Sequence, residues 1–159
     1  MQIDHLRLFR FVAVLSVITA YGTIVLGGTV RGMDAGLACP DWPLCNNSIV
    51  PNLEDPRVAV EYAHRLLAAL TSLLILLTMA FALLWHRAQT SIVTLSVMTF
   101  AVLVAQVIFG ALTITSSLDW VVVTIHLALG TATLALALMV AVLALRVPSG
   151  VPPSEPSAG

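Results

Sequence analysis

Two histidines in this chain occupy places where a polar ring needs a reason. His126 lies inside the apolar run Val121-Val122-Val123-Thr124-Ile125-His126-Leu127-Ala128-Leu129, and His64 closes the group Glu61-Tyr62-Ala63-His64 at the head of another apolar run. Neutral imidazole nitrogens are ordinary axial ligands of haem iron. Glu61 and His64 are three residues apart and share one helical face, with Arg65 off to its side. A carboxylate there could stabilise developing positive charge or take a proton from an attacking water. A charge costs about 2.5 to 3.5 kcal/mol at mid-membrane and less toward the interface, so the same cluster also reads as a wet extension of the helix. Cys39 and Cys45 bracket Pro40-Asp41-Trp42-Pro43-Leu44, and in an oxidising compartment they can close a small ring. Closing about seven residues contributes roughly 2.4 kcal/mol in the chain-entropy picture, which suits a structural staple. A short ring at the surface also suits a redox-active pair. Zinc would require more ligands than these residues supply at one level.

The elements that position these groups follow from composition. Of 159 residues, 59% are hydrophobic and 9% charged, where soluble domains carry about a quarter charged. With a mean hydropathy of +1.01 the chain is expected in a membrane. A net charge of -1 offers no basic field, which excludes nucleic acid as a partner and leaves membrane lipid as the surroundings. Four apolar runs, about 11–30, 58–85, 91–114 and 120–145, are each long enough to cross a bilayer and lack the alternation of a barrel strand. The fold class is therefore all-α, a polytopic four-transmembrane-helix bundle, because helices satisfy their own backbone in lipid. The first run is too long for a signal peptide and is kept as an anchor.

Arg7, Arg10, Arg87 and Arg146 fall on one side, while Arg31 and Arg57 fall on the other among five acidic residues. The positive-inside rule puts both termini in the cytoplasm and makes 31–57 an outer loop. The helical domain covers 1–147, and the Pro, Ser and Gly-rich segment 148–159 is expected to be a disordered tail. His5 and His86 at the cytoplasmic helix ends read as interfacial polar residues.

The second and fourth helices run in the same direction, and at ~1.5 Å per residue both histidines stand roughly 30 Å above the cytoplasmic boundary. Small residues line the helices beneath them: Ala68 and Thr71 under His64, and Gly130, Thr133 and Ala137 under His126. Such stripes usually mean close helix packing. With two imidazoles at one height they also describe a slot for a flat macrocycle.

The series Gly27-Gly28-Thr29-Val30-Arg31-Gly32, then Ala35-Gly36-Leu37-Ala38-Cys39-Pro40-Asp41-Trp42-Pro43-Leu44-Cys45, then Glu61-x-x-His64-Arg65 closely resembles the first half of the heme A synthases. The resemblance covers about residues 22–70, and His126 falls where that family has the second histidine of the half. It implies oxidation of the C8 methyl of heme O to a formyl group, yielding the heme A of terminal oxidases, with heme b as cofactor. It makes His64 and His126 ligands of haem iron, Glu61 the catalytic carboxylate and Cys39–Cys45 an outer-loop disulfide. Arg65 would meet a haem propionate, as guanidinium does with carboxylates generally.

The usual family chain has two four-helix halves, each with a histidine pair, whereas one such unit is visible here and no internal repeat. The chain thus resembles a half-size member of the kind found in some prokaryotes. This implies a multi-pass protein of a prokaryotic cell membrane, a homo-oligomer supplying two haem sites, and an electron acceptor that the residues do not identify. A bis-histidine b-type cytochrome that only carries electrons is the alternative, and it has no need for Glu61. A quinone-linked thiol oxidase would show Cys-x-x-Cys, which is absent.

Overall fold

The computed structural model describes residues 4–148, so the segment expected as a tail lies, beyond Pro148, outside the described residues. Four α-helices make up most of it: α1 (His5–Gly32), α2 (Pro56–Trp85), α3 (Thr90–Thr115) and α4 (Trp120–Arg146). All four are long and apolar enough to cross a membrane, and no strand occurs among the described residues. The protein is an all-helical, multi-pass membrane protein. α1 begins six residues before the expected span because Asp4 caps it, accepting from the amides of Leu6 and Arg7. Asp55 caps α2 ahead of Pro56, whose missing N–H costs nothing at a helix start, and Asp119 caps α4.

Helix neighbours in sequence are neighbours in space. α1 packs on α2 and on α4, α3 packs on α4, and the α2–α3 contact is the least extensive of the four seams. This ring places α2 and α4, the histidine helices, diagonally across the bundle. The two ends of the described chain meet, because Arg10 on α1 donates to the carbonyls of Ala144 and Val147 at the end of α4. Near that end Phe9, Ala13, Ala82, Ile92, Val140, Ala141 and Ala144 form the apolar core, in which small residues let the backbones approach. Toward the middle, hydroxyl pairs join α1 to α2: Ser16 with Thr78 at 3.2 Å and Thr23 with Thr71 at 3.1 Å. Phe11, Ile18, Leu66, Leu73, Ile108 and Leu138 face outward, as suits a surface solvated by lipid.

The helices repeat in pairs in backbone geometry, although no internal repeat is visible in the sequence. α1 ends with Asp34 in the left-handed region (φ 51°) and Ala35 N–H returning to the Val30 carbonyl at 2.9 Å. α3 ends the same way, with Ser117 (φ 54°) and Leu118 N–H returning to the Thr113 carbonyl at 2.8 Å. The α1–α2 pair carries the long loop after this stop, and the α3–α4 pair turns at once. The loop rests on that turn through Gly36, where a Cβ would come 3.1 Å from a Leu118 methyl. A repeat in backbone geometry with so few identical residues leaves little for a sequence to show.

Candidate functional site

Each histidine ring is held by the helix that precedes its own. His64 Nδ1 lies 3.1 Å from the Thr23 carbonyl on α1, and His126 Nδ1 lies 3.1 Å from the Gln106 carbonyl on α3. A carbonyl can only accept, so Nδ1 carries the proton in both rings and Nε2 keeps its lone pair. That is the arrangement which orients an imidazole as a metal ligand. One turn beyond each carbonyl comes a glycine, Gly27 or Gly110, whose backbone lies directly against the ring. His126 lies within electrostatic range of both His64 and Glu61, so the three groups that the sequence singled out share one region between α2 and α4.

Of the small residues predicted beneath the histidines, all but Ala68, which is only partly buried, line the interior. Thr71, Gly130, Thr133 and Ala137 are buried, and the Gln106 side chain fills the space over Gly130, where a Cβ would meet its Nε2 at 3.0 Å. No group of three or more His, Cys, Asp or Glu side chains among the described residues is arranged to hold a bare metal ion. Two imidazoles with free Nε2 atoms match, in donor chemistry, what a bis-histidine haem requires.

Glu61 is 6% exposed, and its Oε1 accepts from Arg65 Nε at 2.8 Å. The expectation that Arg65 lies off to the side therefore needs correction: a residue four positions on is within reach, and the flexible arginine stem bends to meet the carboxylate. The rest of the guanidinium turns to the loop. Nη1 donates to the carbonyls of Asp41 and Leu44 at 2.7 and 2.5 Å, and Nη2 donates to that of Cys39 at 2.6 Å. Four of its five N–H groups are thereby engaged, which leaves one for an additional acceptor.

The carbonyls gripped by Arg65 belong to the ring closed by the Cys39–Cys45 disulfide, with Cα atoms 4.5 Å apart. Both cysteines are buried against Val58, beside Ala38 and Tyr62, so the ring docks on the first turns of α2. It is ordered by its own turn. Asn46 and Asn47 are both left-handed (φ 53° and 58°), Cys45 and Ser48 exchange backbone hydrogen bonds, and the Asp41 carboxylate accepts from the Asn46 and Asn47 amides at 2.7 and 2.8 Å. Asparagine tolerates this backbone region better than most residues. Partial desolvation pushes the Asp41 carboxyl up. The amides of Asn47, Asp41 and Asn46, with the charge of Arg65, outweigh it and hold the group below its ordinary 3.8.

Reading residue types along the chain missed Thr23, Gly27, Gln106 and Gly110 as parts of the site. All four act on the histidines through backbone, Thr23 and Gln106 as accepting carbonyls and Gly27 and Gly110 as bare backbone against the rings, which side-chain chemistry does not advertise. The one usable signal was a polar residue one turn ahead of a glycine in the first and third apolar runs, in the same register each time.

The fold and site define a membrane bundle with paired interior histidines and a carboxylate beside them. The sequence profile of the cytochrome oxidase assembly protein family, COX15-CtaA, matches residues 10–59 and 53–158, and the chain belongs to this family. A protein named heme A synthase from Alkalihalophilus pseudofirmus is 32% identical over 104 residues, covering 65% of this chain and 35% of its own length. Another of that name from Lysinibacillus sphaericus is 31% identical over 111 residues, 68% of this chain and 36% of the relative. A protein named protoheme IX farnesyltransferase 1 from Natronomonas pharaonis is 35% identical over 102 residues, 64% of this chain and 21% of the relative. The chain thus aligns with about a third of the length of the heme A synthases it matches.

Proposed function

We propose that this protein acts in heme A biosynthesis, oxidising the C8 methyl of heme O to a formyl group, with His64 and His126 as ligands of haem iron. The observation that carries the reading is the matched pair of rings, each donating from Nδ1 to a neighbouring helix and each left with a free Nε2. The family membership and the haem in the relatives' names support it. A haem bound there, whether heme b as cofactor or heme O as substrate, supplies a redox-active iron.

Converting a methyl to a formyl group consumes one water and releases four electrons and four protons, so an electron acceptor and a proton acceptor are both needed. Glu61 is the proton acceptor in this reading. Its Oε1 is fixed by Arg65, which leaves Oε2 to take a proton from water and keeps the carboxylate from turning away. Arg65 holds the loop over the same helix turn and offers its remaining N–H to a haem propionate. The proposal sets the protein in a prokaryotic cell membrane, termini inward and loop outward. Two or more copies together supply the haem sites.

The test is haem identity. Protein produced with a heme O supply should yield heme A on extraction, identified by chromatography and mass. His64→Ala and His126→Ala should each lower haem content or turn a low-spin spectrum high-spin. Glu61→Gln should keep the low-spin spectrum and lose about 10² to 10⁴-fold in turnover, the usual contribution of a general acid or base. Heme A formation by Glu61→Gln at the parent rate would leave Glu61 as a structural partner of Arg65 and favour the electron-carrying cytochrome.

A further inference from the structure

We propose that Gly27 and Gly110 are positioning residues: each forms, with the carbonyl one turn before it, a cradle that fixes the tilt of one histidine ring and so the direction of its Nε2. This deepens the haem reading above and rests on it for the identity of the ligand.

The two cradles are copies of each other. A Cβ built on Gly27 would come 3.1 Å from Cε1 of His64, 3.6 Å from Nδ1 and 3.8 Å from Nε2, and a Cβ on Gly110 would meet the same atoms of His126 at the same distances. The Thr23–Gly27 pair on α1 and the Gln106–Gly110 pair on α3 have the same spacing, and each stands the same number of residues before the left-handed helix stop, Asp34 or Ser117. A contact found twice in one chain, on helices whose other residues differ, points to a shared requirement of the two rings.

The contact is tight in a direction that matters. Cε1 is bonded to both ring nitrogens, so pressure on it swings Nε2. The ring cannot retreat freely, because the 3.1 Å hydrogen bond from Nδ1 ties it to the same helix that carries the glycine. An alanine methyl therefore has to tilt the ring or stretch that bond. Gly28, the next residue on α1, has nothing within 4 Å of its would-be Cβ. It provides a control in the same helix. Alanine is the better helix former, so loss of helix is not the expected effect of any of these substitutions.

The experiment uses the full chain in detergent, with histidine labelled by 15N, and compares the parent with Gly27→Ala, Gly110→Ala and Gly28→Ala. In haem-free protein, Gly27→Ala should shift the ring nitrogens of His64 and Gly110→Ala those of His126, while Gly28→Ala moves neither. On titration with hemin, the two cradle variants should bind about tenfold to a hundredfold more weakly, the usual cost of losing a partner that orients a metal ligand, and show a growing high-spin fraction. Ring signals, affinity and spin state all matching the parent would overturn the proposal. Should Gly110→Ala fold poorly, adding His126→Ala removes the ring that the methyl strikes. Recovery of thermal stability in the double variant supports the cradle, and no recovery overturns it. Ring shifts in the two cradle variants, together with a parent that binds hemin without a low-spin spectrum, would keep the cradle and discard the haem reading.

Discussion

Asp41 shows how a single carboxylate links the site to pH. Its oxygens cap the Asn46–Asn47 turn, and the group sits below its ordinary value because amides and Arg65 favour the charged form. A carboxyl depressed in the folded state stabilises the loop above the unfolded value and loses that effect as pH falls through its own lower value. The loop should therefore be insensitive to pH near neutrality and loosen only below about 3.8. The amide resonances of Asn46 and Asn47 report this directly. They should titrate together with a midpoint under that value, and Asp41→Asn should abolish the transition. A midpoint above it would mean that the amides do not hold the charge. Asp55 sits low for a similar reason, the backbone N–H of Arg57 and then its side chain.

The element that couples loop to helix is the first part of α2. Here one arginine joins a carboxylate on its own helix to three carbonyls of a disulfide-closed ring. Replacing Arg65 by lysine keeps the charge and loses the planar fork. Hydrogen bonds to charged groups contribute on the order of 1.5 to 3 kcal/mol each, so even one lost carbonyl contact should loosen the ring severalfold or more. Arg65→Lys is expected to accelerate both reduction of Cys39–Cys45 by an external thiol and proteolysis within 31–57. Rates equal to the parent would show that the apolar seat on Val58 holds the ring without the arginine. The sequence made the loop and its disulfide legible, since two cysteines flanking five residues have few other options. It did not make the clamp legible, because the acceptors are backbone carbonyls brought near Arg65 only by the docked ring.

At the scale of the molecule, the paired ends and the single long loop lead to a test of orientation. With the described ends of the chain joined at one face of the bundle and the loop at the other, a thiol reagent that cannot pass the membrane should label Cys39 and Cys45 from outside after reduction and neither cysteine before it. Labelling only in inverted vesicles would reverse the proposed orientation, and labelling without reductant would contradict the disulfide. Two helix pairs with matching stops and matching histidine cradles already face each other across one interior.

What the sequence by itself determined is everything set by composition and by short-range spacing. Apolar runs of bilayer length dictated four helices, and Glu61-x-x-His64 fixed a shared face. The tertiary structure alone decided which groups act on one another across elements. It put Thr23 and Gln106 carbonyls beside the histidines, set two glycines against the rings, and turned Arg65 toward the loop. The physical reason is that backbone carbonyls and bare glycines are chemically identical at every position along a chain. Their roles arise only when helix packing brings a particular one within hydrogen-bond or van der Waals distance of a particular ring.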